Sequence, residues 1–294
     1  MSLILGSHVG FNNKTMLVGS VNEALSYNAN TFMFYTGPAQ STMRSNIDEN
    51  NIHEAFKLML DHGINPDNVI VHAPYIVNFA NRNDEDKYNF YIKFFIEELY
   101  RVKKLGFNKI VLHPGSAVNV SREDGIKNII DALNKVIENT SDVTILLETM
   151  AGKGNELGIN IEEIKSILNG VKNQDRIGVC LDTCHLNDSG IDINDFDAYL
   201  DEFDKVIGLS KVKCVHVNDS MNPVGSHKDR HQNIGYGTIG FDCLCKNVIY
   251  NQRLEGIPFI LETPWVNRNQ DNEYPPYKME IENFKNKKFV DFIQ

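Results

Sequence analysis

The sequence predicts a closed (β/α)8 TIM barrel forming a single domain over residues 1–294. Three observations carry that prediction. Short apolar runs alternate with amphipathic segments eight times along the chain. The runs are nearly continuous in Val, Ile, Leu and Phe, as strands buried under helices on both faces should be. The long loops, Thr36–Asn51, Met150–Asn160, Asp219–Gly240 and Thr263–Tyr277, all follow predicted strands. They therefore open on one face, the C-terminal mouth where barrel enzymes keep their chemistry. An open doubly wound sheet would announce itself with a Gly-rich phosphate loop after the first strand, and Gly6-Ser-His-Val-Gly10 matches one poorly.

The elements follow in order. Leu3–His8 is the first strand, and Asn12–Asn28 an amphipathic helix with apolar Met16, Val18, Val21, Ala24 and Leu25. Thr31–Tyr35 is the second strand; the helix Ile52–His62 ends at Gly63, the residue type that best tolerates a left-handed stop. Asn68–His72 is the third strand, followed by a long helix Asp84–Leu105 closed by Gly106. Lys109–His113, helix Arg122–Glu138, Val143–Glu148 and helix Ile161–Leu168 come next. Ile177–Asp182 is the sixth strand and runs into a turn carrying His185. Helix Asp195–Ile207, strand Lys213–Val217, helix Phe241–Tyr250, strand Pro258–Glu262 and a last helix near Lys278–Asn286 complete the alternation.

Composition bounds the function. Hydrophobic residues make up 42% and charged residues 23%, an ordinary globular balance. No apolar run approaches the roughly 18 residues of a membrane span. Met1-Ser-Leu-Ile-Leu-Gly6 lacks a basic lead and a cleavable apolar segment, so no membrane or secretory role is expected. Five cysteines without disulfide-like spacing point to free thiols in a reducing, cytoplasmic setting. Cys180 reads as core packing. The net charge of −10 argues against indiscriminate coating of nucleic acid. It leaves a nucleic-acid enzyme open, because bound cations invert the field at a carboxylate-rich site.

The chemistry gathers at the strand ends. Gly178-Val-Cys-Leu-Asp-Thr-Cys-His185 places a carboxylate and an imidazole three residues apart, just past an apolar strand. Alone, such a pair is more often a cap beside a surface histidine. Here it has company. The third strand ends in His72, the fourth in His113 and the fifth in Glu148; the seventh carries His216. Asp229 and His231 lie in the loop beyond it, and the eighth strand ends in Glu262. Parallel strands of one barrel bring their ends together, so these nine side chains converge. Unpaired carboxylates crowded at a dry mouth would repel one another, and cations of the zinc type answer that repulsion. Nine donors exceed one four-coordinate ion and suit three ions sharing a carboxylate. His8, His53, His62 and His227 read as structural, although His8 ends the first strand.

These stretches resemble the endonuclease IV family, abasic-site endonucleases of the AP endonuclease 2 type. The resemblance rests on His72-Ala-Pro-Tyr75, Leu112-His-Pro-Gly115, Leu147-Glu-Thr-Met-Ala-Gly152, Gly178–His185, His216-Val-Asn-Asp219, Asp229-Arg-His-Gln-Asn-Ile-Gly235 and Leu261-Glu-Thr-Pro264. It covers nearly the full chain. It implies three Zn2+ ions, with Mn2+ an alternative at one or more positions. His72, His113 and Glu148 would hold the first, and Glu148, Asp182, His216 and Glu262 the second. His185, Asp229 and His231 would hold the third. Glu148 and Glu262 are the expected catalytic carboxylates. The family cuts 5′ to an abasic site in double-stranded DNA, leaving a 3′-hydroxyl and a 5′-deoxyribose phosphate, and trims blocked 3′ ends. Two ions would activate the attacking water, and the third would stabilise the departing oxygen.

Tyr75 matches a family position that packs beside the lesion, and Arg230 would face a phosphate. The loop after the second strand, Thr36-Gly-Pro-Ala-Gln-Ser-Thr-Met-Arg44, departs from some members; Gln40 is the candidate there. A monomer is the default. The rival reading is a sugar isomerase or epimerase on the same barrel, using one divalent ion held by Glu148, Asp182, His216 and Glu262. A second rival is a non-catalytic damage-binding module.

Overall fold

The computed structural model describes residues 3–268 and 270–293. Met1 and Ser2 of the N-terminal stretch read above lie outside them. Eight parallel strands close into a barrel: β1 (Leu5–His8), β2 (Thr31–Phe34), β3 (Ile70–His72), β4 (Lys109–Leu112), β5 (Thr144–Glu148), β6 (Ile177–Asp182), β7 (Val212–His216) and β8 (Phe259–Leu261). Closure is made by β1, which pairs Leu5 with Phe259 on one side and Gly6 with Thr31 on the other. The helices form the outer layer: α1 (Met16–Ser26), α2 (Glu49–Asp61), α3 (Glu85–Lys104), α4 (Arg122–Glu138), α5 (Ile161–Gly170), α6 (Thr183–Ser189), α7 (Phe196–Val206), α8 (Phe241–Cys243, continuing as a π-helical turn Leu244–Ile249) and α9 (Tyr277–Asn286). No helix among the described residues is long and apolar enough to cross a membrane.

The helices begin where the sequence supplies an acceptor. Asp84, Ser121 and Asn160 cap α3, α4 and α5 by accepting the backbone N–H of Lys87, Asp124 and Glu163, which satisfies donors the first turn cannot pair internally. Three features depart from the sequence reading. The residues after β6 form the short helix α6 rather than a turn. Residues Asp219–Ser220 and His231–Gln232 pair as a small antiparallel ribbon inside the loop after β7. The helix after that loop also loosens into a π turn.

Two packing layers position the site. The larger core fills the space between sheet and helices. The smaller lies inside the barrel and consists of Met33, Ile70, Val111, Leu146, Cys180, Cys214 and Ile260. On β1 the corresponding position is Gly6, where an added Cβ would come 1.8 Å from the Thr31 carbonyl oxygen. Side chains alternate along a strand, so the residue two places on points inward again, one layer nearer the mouth. Those residues are His8, Tyr35, His72, His113, Glu148, Asp182, His216 and Glu262. Strand periodicity alone thus builds a ring of one imidazole, phenol or carboxylate per strand above an apolar floor.

Candidate metal centre

Glu148 is the hub of the ring. It is fully buried, and its two oxygens face different partners. Oε2 lies 3.2 Å from His72 Nε2 and 3.1 Å from His113 Nε2. Oε1 lies 3.0 Å from His216 Nδ1 and 3.3 Å from His185 Nδ1. His216 Nδ1 is also 3.0 Å from Glu262 Oε2 and 3.9 Å from Asp182 Oδ2. On the far side, His185 Nε2 approaches Asp229 Oδ1 at 3.1 Å and His231 Nε2 approaches it at 3.6 Å. All nine expected side chains therefore meet at one mouth. Among these nine side chains, three groups have donor atoms within 4.8 Å of one another: His72, His113 and Glu148; Glu148, Asp182, His216 and Glu262; and Asp182, His185 and His231. The first two are the sets expected from the sequence. In the third, Asp182 joins the two histidines, and Asp229 stands alongside.

The ring is held from behind. His72 Nδ1 faces the Ala73 carbonyl at 2.7 Å, which directs Nε2 inward; His185 Nδ1 faces the Thr149 carbonyl at 2.8 Å. Carbonyl acceptors of this kind fix the tautomer and aim of a ligating imidazole. Asp182 Oδ1 caps α6 by accepting the His185 N–H at 2.7 Å, so α6 delivers His185 from its first turn. Its Oδ2 accepts from Asn218 Nδ2 at 2.7 Å, and Asn218 Oδ1 accepts the Glu262 N–H at 2.9 Å. Asn218 thereby couples β6 to β8.

The Asp229 loop is anchored by Asp188, a buried carboxylate of α6. It accepts from Ser220 Oγ at 2.7 Å, Asn187 Nδ2 at 3.1 Å, Asn222 Nδ2 at 3.4 Å and the Asp229 N–H at 2.9 Å. Its carbonyl accepts the His227 N–H at 2.9 Å. His227 and Asp229 both have φ of +54°, a conformation that needs such support in residues with a Cβ. Asp219 organises the next stretch by accepting the N–H groups of Ser220, Gly235, Gly237, Ile239 and Gly240. Sequence reasoning missed Asn218 and Asp188; Asn218 follows the apolar run of β7 within His216-Val-Asn-Asp219, whereas Asp188, between Asn187 and Ser189, carries no signal in the sequence.

Charge is balanced inside the ring. Burial acts to raise Glu148, yet His216 and His113 hold it well below the usual carboxylate range. Burial also opposes ionisation of Asp229, and His185 brings it down to about 2. Burial acts to lower His185, while Asp182 and Asp229 hold it well above its ordinary value. Four carboxylates and five imidazoles so arranged are the nitrogen and oxygen donors that zinc-type cations take. Buried His231 Nε2 and His216 Nε2 have no hydrogen-bond partner, a further mark of donors placed for something other than the protein.

His8 and Tyr35 complete the ring on β1 and β2, which the sequence reading did not see. Their rings are 5.1 Å apart, and Tyr35 is 5.0 Å from His72. Burial pushes the His8 imidazole down to about 4, so it stays neutral. Tyr75 lies over this side, half-exposed, with ring centroids 5.5 Å from His113 and 5.6 Å from Tyr35. Gln40 and Arg230 are exposed on the loops around the mouth. Arg44, from the same loop as Gln40, instead pairs with buried Glu98 at 2.7 Å. Met43, Met221, Val224 and Trp265 are large apolar side chains exposed on the same set of loops.

Comparison with known proteins places this geometry. Residues 21–287 match the family described as xylose isomerase-like TIM barrel. The chain is 49% identical to the probable endonuclease 4 of Staphylococcus saprophyticus over 288 residues, covering 98% of this chain and 96% of the relative. It is 50% identical to that of Acholeplasma laidlawii over 290 residues, with the same coverage. The crystal structure of endonuclease IV from Thermus thermophilus superposes with a TM-score of 0.79 at 27% identity, covering 96% of this chain and 97% of that one. A D-tagatose 3-epimerase-like protein shares the fold, with a TM-score of 0.68 at 18% identity, covering 96% of both.

Proposed function

Because the chain belongs to the endonuclease IV family of xylose isomerase-like TIM barrels, we propose that it is a metal-dependent abasic-site endonuclease of base-excision repair. It hydrolyses the phosphodiester 5′ to an abasic site in duplex DNA, leaves a 3′-hydroxyl and a 5′-deoxyribose phosphate, and trims blocked 3′ ends. The observation that carries this reading is the convergence of nine donors around Glu148, whose two oxygens face separate groups of imidazoles.

His72, His113 and Glu148 would hold one cation, and Glu148, Asp182, His216 and Glu262 a second. His185, Asp229 and His231 would hold a third, with Asp182 at its edge. When bound, such ions supply Lewis acidity at a phosphate and lower the pKa of water. Glu148 fixes the spacing of the first two positions, and Glu262 holds His216 in aim from the neighbouring strand. Asn218 keeps Asp182 and Glu262 at a constant separation. An abasic nucleotide lacks stacking, so it leaves the duplex at small cost. Tyr75 packs beside the gap, and Arg230 meets a phosphate of the backbone. Gln40 would fill the space the base has left, with the exposed apolar side chains of neighbouring loops beside it.

The quartet Glu148, Asp182, His216 and Glu262 alone would suit the single ion of a sugar isomerase. The other five donors have no task in that chemistry. The deciding experiment incubates zinc-loaded protein with a duplex carrying one tetrahydrofuran abasic analogue, counts metal per chain and reads the ends. Incision on the 5′ side with about three zinc ions is expected. No incision, with tight binding retained, would replace the enzyme by a damage-binding module; about one ion per chain and no incision would favour the isomerase.

A further inference from the structure

Beneath the ring lies a second set of donors that the nine-residue centre does not use. Cys180 on β6 and Cys214 on β7 are cross-strand partners in the barrel. Both are free thiols, fully buried in the inner layer among aliphatic and methionine side chains. Their sulfurs and a ring nitrogen of His216 lie within 4.8 Å of one another. His216 Nδ1 is committed to the carboxylates above, 3.0 Å from both Glu148 and Glu262. The nitrogen that turns down to the thiols is therefore Nε2. It is wholly buried and has no hydrogen-bond partner. With Nδ1 giving its proton to the carboxylates, Nε2 is an acceptor, and the apolar floor offers it no donor except the two thiols.

We infer that Cys180, Cys214 and His216 Nε2 form a separate site for a soft d10 cation, with Cu(I) the closest fit. Two sulfurs and one imidazole, with no fourth donor from the surrounding ring, make a three-coordinate set. Thiolates select Cu(I) over the hard ions that carboxylates take. Metal–sulfur bonds of about 2.3 Å and metal–nitrogen bonds of about 2.0 Å put the donors of one ion roughly 4 Å apart, within the observed limit. Each thiol releases its proton as its bond to the metal forms, and the oxidation state of the metal does not change. Were a rim cation also held at Nδ1, the His216 ring would have to give up its own proton as well, the third released. The same ring then joins a hard site to a soft one. The inference concerns the thiols and Nε2 alone, so it stands or falls separately from the incision chemistry.

The test titrates the full zinc-loaded chain with Cu(I) against a chromophoric Cu(I) chelator. One tightly held equivalent per chain is expected. In Cys180→Ser/Cys214→Ser that affinity should fall by more than roughly two orders of magnitude, since losing only the groups that support a ligand already costs up to about 100-fold. X-ray absorption at the copper edge of the wild-type protein should show two sulfur neighbours and one nitrogen. A spectrum with only nitrogen and oxygen neighbours would overturn the assignment, since the copper would then sit among the rim residues. Unchanged copper affinity in the folded double variant would overturn it equally. Should that variant fail to fold, the wild-type spectrum decides by itself.

Discussion

Replacing Asp188 by Ala tests whether the Asp229 side of the centre depends on a residue that touches no cation. The substitution removes the acceptor of four donors: Ser220 Oγ, Asn187 Nδ2, Asn222 Nδ2 and the Asp229 N–H. The hydroxyl and the two amides can turn toward other partners. The Asp229 N–H cannot, and a half-buried donor left unpaired costs about 1–3 kcal/mol. The left-handed conformation of Asp229 loses its anchor at the same time, while the Asp188 backbone carbonyl still holds the His227 N–H. If the loop recovers that energy by relaxing, Asp229 leaves its place beside His185 and His231. Affinity for the proposed third cation should then fall by about 10- to 100-fold, at tenfold per 1.4 kcal/mol. The assay is a chelator titration of the zinc-loaded variant, with released zinc counted against retained helical signal. One ion per chain should leave at lower chelator concentration than in wild type, while the other two do not shift. Three ions leaving at wild-type concentrations from a folded Asp188→Ala protein would refute the reasoning.

Other outcomes follow from the same geometry. Glu262→Gln keeps the volume and removes a negative charge 3.0 Å from His216 Nδ1; it should stay folded and lose incision by roughly 100-fold or more, measured on a properly metallated sample. Gly237→Ala should lower stability by about 2–3 kcal/mol in a urea titration, because its Cβ would meet Asp219 Oδ1 at 2.3 Å and break the hub of five N–H groups. Burial raises the Glu280 carboxyl to about 7. The native state therefore keeps a proton that the unfolded chain gives up near its ordinary 4.5. The stability from this group is complete below about pH 4.5 and declines as pH rises toward 7, by at most about 3 kcal/mol. Glu280→Gln should flatten that slope in thermal melts across the interval. Tyr75→Ala should weaken binding to an abasic duplex by about 1–3 kcal/mol and leave binding to an intact duplex nearly unchanged.

The eight strands were legible because each is an apolar run with a polar residue at its end, and the barrel follows from their alternation with helices. The convergence of the nine donors was legible for the same reason, since parallel strand ends must meet. What escaped was local. Helix α6 is Thr-Cys-His-Leu-Asn-Asp-Ser, seven residues without helical periodicity, almost all buried; tertiary packing imposes the helix where propensity does not. The ribbon formed by Asp219–Ser220 and His231–Gln232 is too short to leave a pattern. His8 was read as structural although it ends the first strand, and Tyr35 as the last residue of an apolar strand; only the strand register puts both in the ring. The Asp182–His185 pair was legible in the sequence; what escaped is that Asp182 also lies 3.9 Å from His231, because sequence does not say how the loop after β7 folds back over the mouth.

A rim addressed by a single position on each strand can be rewritten without disturbing the cylinder that supports it. Exchanging a few of those eight side chains would retool the barrel for other cations or other substrates, while the hydrogen-bonded staves and the greasy plug below remain as they are. That separation of workbench from tool is a physical reason why proteins named for sugar epimerisation can share this architecture at 18% identity, and it marks the eight rim positions as the place to begin any redesign.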